Sequence, residues 1–285
     1  MTIAASEAPK TRMARGSLTI GICLSMLVLI AVVSLTGPLL SPYSVDQIDF
    51  DQSLISPTPQ DARLFGTDDL GRDLFVRTMK GTQMTLFVAF VASVVSLVIG
   101  VIYGAVAGYA GGKIDALMMR AVDALYAMPF IFFVILLMVV FERSFLLIFI
   151  AIGAINWLDT ARIVRGQTLS LKERAFVDAA RLTGVSTTGI LLRHIAPNLF
   201  GIVIVYITLT IPQVILFESF LSFLGLGIQE PQASLGSLVS DGVDRMQAAP
   251  WLLILPASVL ALILFCFNFL GDGLRDRFDP RSRSL

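Results

Sequence analysis

"RAFVDAARLTGVSTTGILLRHIAPN", residues 174–198, is the polar interruption that decides how this chain is arranged. It carries Arg174, Asp178, Arg181, Arg193 and the chain's one histidine, His194, inside a sequence that is 56% hydrophobic and only 15% charged. Ala175, Phe176, Ala179, Ala180 and Thr183 recur at helical spacing, whereas Arg174, Asp178 and Arg181 fall on another face at i, i+4 and i+7. Gly184 ends that helix, and Ser186 caps a second one that runs through "TGILLRHIA" until Pro197 stops it. The expected unit is helix, glycine turn, helix, with a face of small residues that another structure can approach closely. Such a segment does not belong in hydrocarbon, so it separates the apolar runs on either side.

Those runs make this an integral membrane protein. The 285 residues have a mean hydropathy of +0.82 and include 20 phenylalanines, which is too apolar for an ordinary soluble domain. Lys and Arg number 21 and so do Asp and Glu, so net charge offers nothing to a nucleic acid. Cys23 and Cys266 lie in apolar runs without metal-ligand spacing, and no H-E-x-x-H or paired-cysteine cluster occurs. The two cysteines read as small buried hydrophobes, and no metal is expected.

A helix needs about 20 apolar residues to cross about 30 Å of hydrocarbon. Six runs are candidates: 18–40, about 84–108, 121–141, 144–165, 199–226 and 251–271. The first follows Lys10, Arg12 and Arg15 but is longer than a signal-peptide core and lacks a small-residue cleavage site, so it reads as an uncleaved anchor. In the second, Gly100, Gly104 and Gly108 share one helix face, which suits either close backbone approach or loose packing. The third contains Pro129, a site for a kink, and the fourth has only about 15 uncharged residues before Asp159. Charge asymmetry justifies keeping the fourth. With residues 1–17, the loops near 109–120 and 159–198, and the 272–285 tail inside, the cytoplasmic side holds 15 Lys and Arg against 6 outside. The predicted architecture is all-α, six spans, both termini cytoplasmic. The outer segment 41–83 begins irregular and acidic; Thr67 or Asp68 then caps a helix through Leu70 and Leu74 that lies along the membrane surface.

"DAARLTG" followed by "RHIAPN" resembles the EAA loop of ABC importer permeases, with Asp178, Ala179, Ala180, Gly184 and Pro197 in the motif positions. Asp stands for the usual Glu, His194 for Ile and Ala196 for Leu. The likeness extends to "FGTDDLGRDL", "GYAGGKIDALMMR", "RIVRGQTLSLKER", "ESFLSFLGLGIQEP" and "FNFLGDGLRDRFDPR", which are similar to the C-type permease of the peptide, nickel and opine importer family, nearest the oligopeptide branch. The resemblance implies a type I importer permease core over 84–271 in a bacterial inner membrane. It implies half a pore completed by a homologous second permease subunit, with two ATPase subunits below and an extracytoplasmic peptide-binding protein above. Phe176, Asp178, Ala179, Ala180, Gly184, His194 and Pro197 are the implied ATPase-coupling residues, with the Ala179 and Ala180 face seated in the ATPase cleft. ATP and Mg belong to the ATPase subunits; this chain binds no cofactor and is not itself an enzyme. Consistently, "GYAGGKI" fails as a phosphate loop, because Ala107 occupies the first Gly position and Ile114 follows the lysine.

Other residues keep open readings. Glu218, inside the fifth run, either faces the pore to meet a peptide's amine or pairs with a partner-subunit residue. His194 is a pH sensor or a contact near a helix end. Asp123 pairs with Arg120 or a neighbour, and Asp272, Arg275, Asp276 and Arg277 are solvated tail charges that also touch the ATPase. Dipeptides, nickel or another small solute remain alternative cargoes within the family. A secondary transporter would need its own coupling-ion site and paired broken helices, and an intramembrane hydrolase a nucleophile and base within the spans; neither pattern is present in the sequence.

Overall fold

Long apolar runs produce long helices here even across the interior prolines Pro38, Pro212 and Pro256. In the computed structural model, which describes residues 9–59, 63–129, 132, 134–136, 140 and 145–278, these are α1 (Pro9–Leu40), α2 (Leu74–Ala110), α3 (Gly112–Tyr126), α4 (Phe145–Lys172), α5 (Ala175–Leu182), α6 (Thr187–Ile190), α7 (Ala196–Phe223), α8 (Leu235–Arg245) and α9 (Trp251–Phe278). Among the described residues there is no strand, only the isolated bridges Thr58 to Arg63 and Thr67 to Asp73. Among the described residues four segments are long and apolar enough to cross a membrane: Leu18–Leu40, Leu74–Ala110, Thr187–Phe223 and Trp251–Asp276. Of the third predicted span, 121–141, residues 130, 131, 133, 137–139 and 141 lie outside the described residues.

Helix α2 is the central element and packs along α4, α7 and α1. Its glycine face is a groove: a Cβ on Gly100 would lie 2.5 Å from the Thr160 Cβ, and one on Gly108 2.8 Å from the Arg165 carbonyl. A Cβ on Gly104 would run into the Ala161 carbonyl. Close backbone approach, not loose packing, therefore explains the three glycines. Above this groove, Val88, Ala92, Ile152, Val214, Ile215 and Ile263 form the largest buried cluster, joining α2, α4, α7 and α9. Leu29, Leu35, Phe265 and Phe269, on α1 and α9, remain exposed, as a lipid-facing surface requires.

Several boundaries differ from the sequence expectation. Among the described residues no separate α-helix lies between Thr67 and the second span. Asp68 Oδ1 accepts from the backbone N–H groups of Leu70 and Arg72, and Gly71 has φ +74, so 68–72 is a tight loop. Asp73, rather than Thr67 or Asp68, caps the helix by accepting from Val76 N–H at 2.8 Å, and α2 runs unbroken from Leu74 into the membrane. Helix α3 stops at Tyr126, and residues 127–129 are a turn, so the chain breaks before Pro129.

Pro197 does not stop the second loop helix. Proline lacks an N–H and crowds the carbonyl four residues earlier. Here residues Leu191–Ile195 widen into a π turn, with Ala196 N–H reaching back to Leu191 O, and Pro197 enters in the first turn of α7. Thr187–Phe223 is thus one 37-residue helix, joining the polar loop directly to a membrane span.

Candidate functional site

The loop folds as a helix, turn and helix because its polar and apolar residues segregate in three dimensions. Val177 and Ala180 turn inward with Ile190, Ile195 and Leu199 against Val164 of α4. Burying a Val or Ile side chain contributes roughly 1.5–3 kcal/mol, which is what fixes so short a helix as α5. The turn satisfies the helix end: Gly184 N–H donates to Arg181 O and Val185 N–H to Ala180 O, both at 3.0 Å. Gly184 sits at φ +77 with open space around it, so only its backbone conformation demands glycine. Ser186 Oγ accepts from Gly189 N–H at 3.2 Å and caps α6.

The outward face is apolar and charged together. Phe176 is 40% exposed, Leu182 89% and Leu192 68%, beside exposed Asp178, Ala179 and Pro197 and half-buried His194. Ala180 is not on this face, because the inward stripe that anchors α5 uses it; the two alanines of the motif point in different directions. Arg181 contacts Asp178 at 3.1 Å on the surface, a pair worth about 0–1 kcal/mol, and its guanidinium lies 5.4 Å from the Tyr109 ring centre.

Two contacts that the sequence reading missed brace this loop. Arg165 of α4 donates Nε to Asp115 Oδ1 at 2.5 Å and Nη2 to Oδ2 at 2.6 Å, a bidentate pair that clamps α3 onto α4. Hydrogen bonding from Arg165 holds the Asp115 carboxyl below the usual carboxylate range. Lys172, the last residue of α4, donates Nζ to Gly108 O at 3.1 Å. Both residues of the pair stand in quoted motifs, "GYAGGKIDALMMR" and "RIVRGQTLSLKER", but their pairing depends on how α3 folds back and carries no local signal. Asp123 bonds Arg162 of α4 at 2.8 Å, across helices rather than to Arg120.

Glu218 is 1% exposed and enclosed within this chain. Its Oε1 accepts from Ser222 Oγ at 2.8 Å, and Ser222 Oγ lies 3.4 Å from Ser234 Oγ. Ser234 caps α8 through a reciprocal capping box with Ser237, and Leu235 N–H donates to Thr85 Oγ1 of α2 at 3.0 Å. The carboxylate therefore ties the end of α7 to the start of α8.

At the same end as α8, Arg72 bonds Asp68 at 2.7 Å and Glu230 at 2.8 Å, and Arg77 lies 3.4 Å from both carboxylates. Hydrogen bonding from Arg72 holds the Glu230 carboxyl below its ordinary range. These groups line a cleft of about 350 Å³ with Asp241, Asp244 and Arg245. Among the described residues no group of three His, Cys, Asp or Glu is placed to hold a metal.

Comparison with known proteins accords with this architecture. Residues 100–284 match the family described as "binding-protein-dependent transport system inner membrane component". Over 260 residues, 91% of the chain, it is 53% identical to the oligopeptide transport system permease protein OppC of Haemophilus influenzae, covering 84% of that protein. It is also 53% identical to OppC of Escherichia coli K12, covering 86%, and 44% identical to the dipeptide transport system permease protein DppC of Bacillus subtilis, covering 81%. With its membrane-length helices and this extended likeness, the chain belongs to the family of inner-membrane components of binding-protein-dependent transport systems.

Proposed function

We propose that this chain is one of the two membrane subunits of an ATP-driven oligopeptide importer. Six spans with both termini in the cytoplasm form half of the pore, and a homologous second permease subunit forms the rest. Two ATPase subunits, which carry the ATP and Mg, dock on the 172–198 loop, and an extracytoplasmic binding protein delivers peptide to the opposite side.

The observation that carries this reading is the unbroken Thr187–Phe223 helix, which fuses an exposed loop to a membrane span. Phe176, Asp178, Ala179 and Leu182 form the docking face, with Gly184 shaping the turn; Ala180 supports that face from behind, and His194 and Pro197 flank the base. Closure of the ATPase pair displaces the loop, the fused helix moves with it, and the pore changes between inward and outward access. Oligopeptide is favoured as cargo because the relatives that reach 53% identity are oligopeptide permeases, although in Bacillus subtilis the dipeptide and oligopeptide permeases are level at 44% and 43%.

The test is reconstitution in lipid vesicles with the second permease, both ATPases and the binding protein. ATP-dependent uptake of labelled peptides of graded length is expected from the complete complex. Uptake or ATP hydrolysis by this chain alone would overturn the assignment. A preference for two-residue peptides would reassign the cargo.

A further inference from the structure

Gln213 of α7 stands exposed on a membrane span, and among the described residues its side-chain amide makes no hydrogen bond. Thr36, Ser258 and Asn268, also exposed on spans, each donate to the carbonyl four residues earlier in their own helix, and half-buried Thr210 does the same to Tyr206 O. The hydroxyl of half-buried Tyr206, two turns before Gln213 on the same face of α7, likewise has no partner among the described residues.

The depth of Gln213 is bounded from both ends of the helix. It lies about 20 Å along α7 from Leu199, which packs with the docking loop, and about 15 Å from Phe223, at 1.5 Å per residue; this is the interior of a hydrocarbon layer about 30 Å thick. Acyl chains offer an amide neither donor nor acceptor, so lipid is a poor neighbour for it. The same side of α7 is otherwise apolar and uncharged, with Leu216 and Phe220 exposed, while the carboxylate of Glu218 is enclosed. Pro212, the preceding residue, has no N–H for the Thr208 carbonyl, so α7 is one backbone bond short at this level and bends more readily there. Apolar walls with sparse neutral polar groups suit a ligand whose side chains vary, and a Gln amide complements the N–H and C=O that every peptide carries.

We propose that Gln213 lines the passage at mid-membrane and hydrogen bonds to the backbone of the peptide in transit, carried on the helix that the docking loop moves; this rests on the importer reading above. The test uses the complete reconstituted complex. Gln213→Leu is expected to slow uptake of an uncharged peptide about fivefold, the size of losing one neutral hydrogen bond. Gln213→Glu is expected to slow an acidic peptide at least about tenfold more than a basic one of the same length, because a carboxylate inside the passage repels the first and attracts the second. For a direct reading of exposure, the buried Cys23 and Cys266 are replaced by Ala and Gln213→Cys is introduced. A charged, water-soluble thiol reagent is expected to label it, and saturating peptide to slow that labelling.

Wild-type uptake of the uncharged peptide in the Leu variant together with no charge discrimination in the Glu variant overturns the proposal. So does a Cys that never labels, and so does labelling indifferent to peptide; a Cys that instead cross-links to the second permease assigns Gln213 to the subunit interface and overturns it as well. If the Leu variant fails to assemble, the Cys labelling decides alone. No peptide uptake by the wild-type complex defeats the importer reading itself, whereas wild-type uptake with unaffected variants defeats only the role of Gln213.

Discussion

Single residues in this chain differ in what their charge accomplishes, and burial decides which. Glu218 is enclosed and accepts from the Ser222 hydroxyl, which in turn contacts Ser234, the cap of α8. Truncating it leaves Ser222 with an unmet partner and a cavity beside it, a loss of roughly 1–3 kcal/mol for the unsatisfied group alone. Ser234→Ala removes the cap for about 1 kcal/mol. Because both act through Ser222, the double variant Glu218→Ala with Ser234→Ala should lose less melting temperature than the sum of the two; strict additivity would refute the relay. Asp115 gives a pH signature. Its folded-state pKa is depressed by Arg165, so its stabilising contribution is complete above the unfolded value near pH 4 and is lost as pH falls toward the folded one. The difference in melting temperature between wild type and Asp115→Asn should therefore stay constant from about pH 8 to 5 and vanish only in stronger acid. A difference that grew between pH 5 and 8 would contradict the assignment.

At the scale of elements, the contact between α2 and α4 is set by backbone proximity, so its glycines are unequal to others in the same helices. A methyl group at Gly104 meets the Ala161 carbonyl, whereas Gly166, also on α4, has no atom within 4 Å of the corresponding position. Gly104→Ala should destabilise the purified complex by roughly 1–3 kcal/mol, as overpacking does, while Gly166→Ala is neutral in the same thermal unfolding assay. Equal effects would mean the groove is not as close as described. The i, i+4, i+8 spacing showed that these three glycines share a face; it carried no information on which helix would fill it, because α4 is separated from them in sequence by α3 and residues 127–144. Helix ends were read less well than helix interiors for a similar reason. The cap at Asp73 depends on its carboxylate reaching Val76 N–H, and the π turn ahead of Pro197 on a backbone hydrogen bond, neither of which residue type alone specifies.

For the whole molecule, hydropathy and charge asymmetry made the membrane class and the polar loop legible, because both are sums over many residues that no single contact can reverse. The facing of individual loop residues was not legible. Ala179 and Ala180 are adjacent in a motif, and a helical wheel accommodates both on one broad face; only the presence of Val164, Ile190 and Ile195 on one side assigns Ala180 to the interior. This separates two substitutions that the sequence treats alike. Ala180→Trp forces a large ring into a closed cluster, so the loop itself should lose its packing, seen as rapid proteolysis of the 174–198 segment in the purified chain. Ala179→Trp places the same ring on the open side of α5, where the loop remains folded and protease resistance is kept. If the outward face receives the ATPase, Ala179→Trp should nevertheless abolish co-purification of the ATPase subunits or reduce peptide-stimulated ATP hydrolysis at least about tenfold, the order expected for a steric clash of about 1.4 kcal/mol or more at an interface. A complex that assembles and hydrolyses ATP normally with Trp at 179 would move the docking surface elsewhere on the loop, to Leu192 and the outer side of α6.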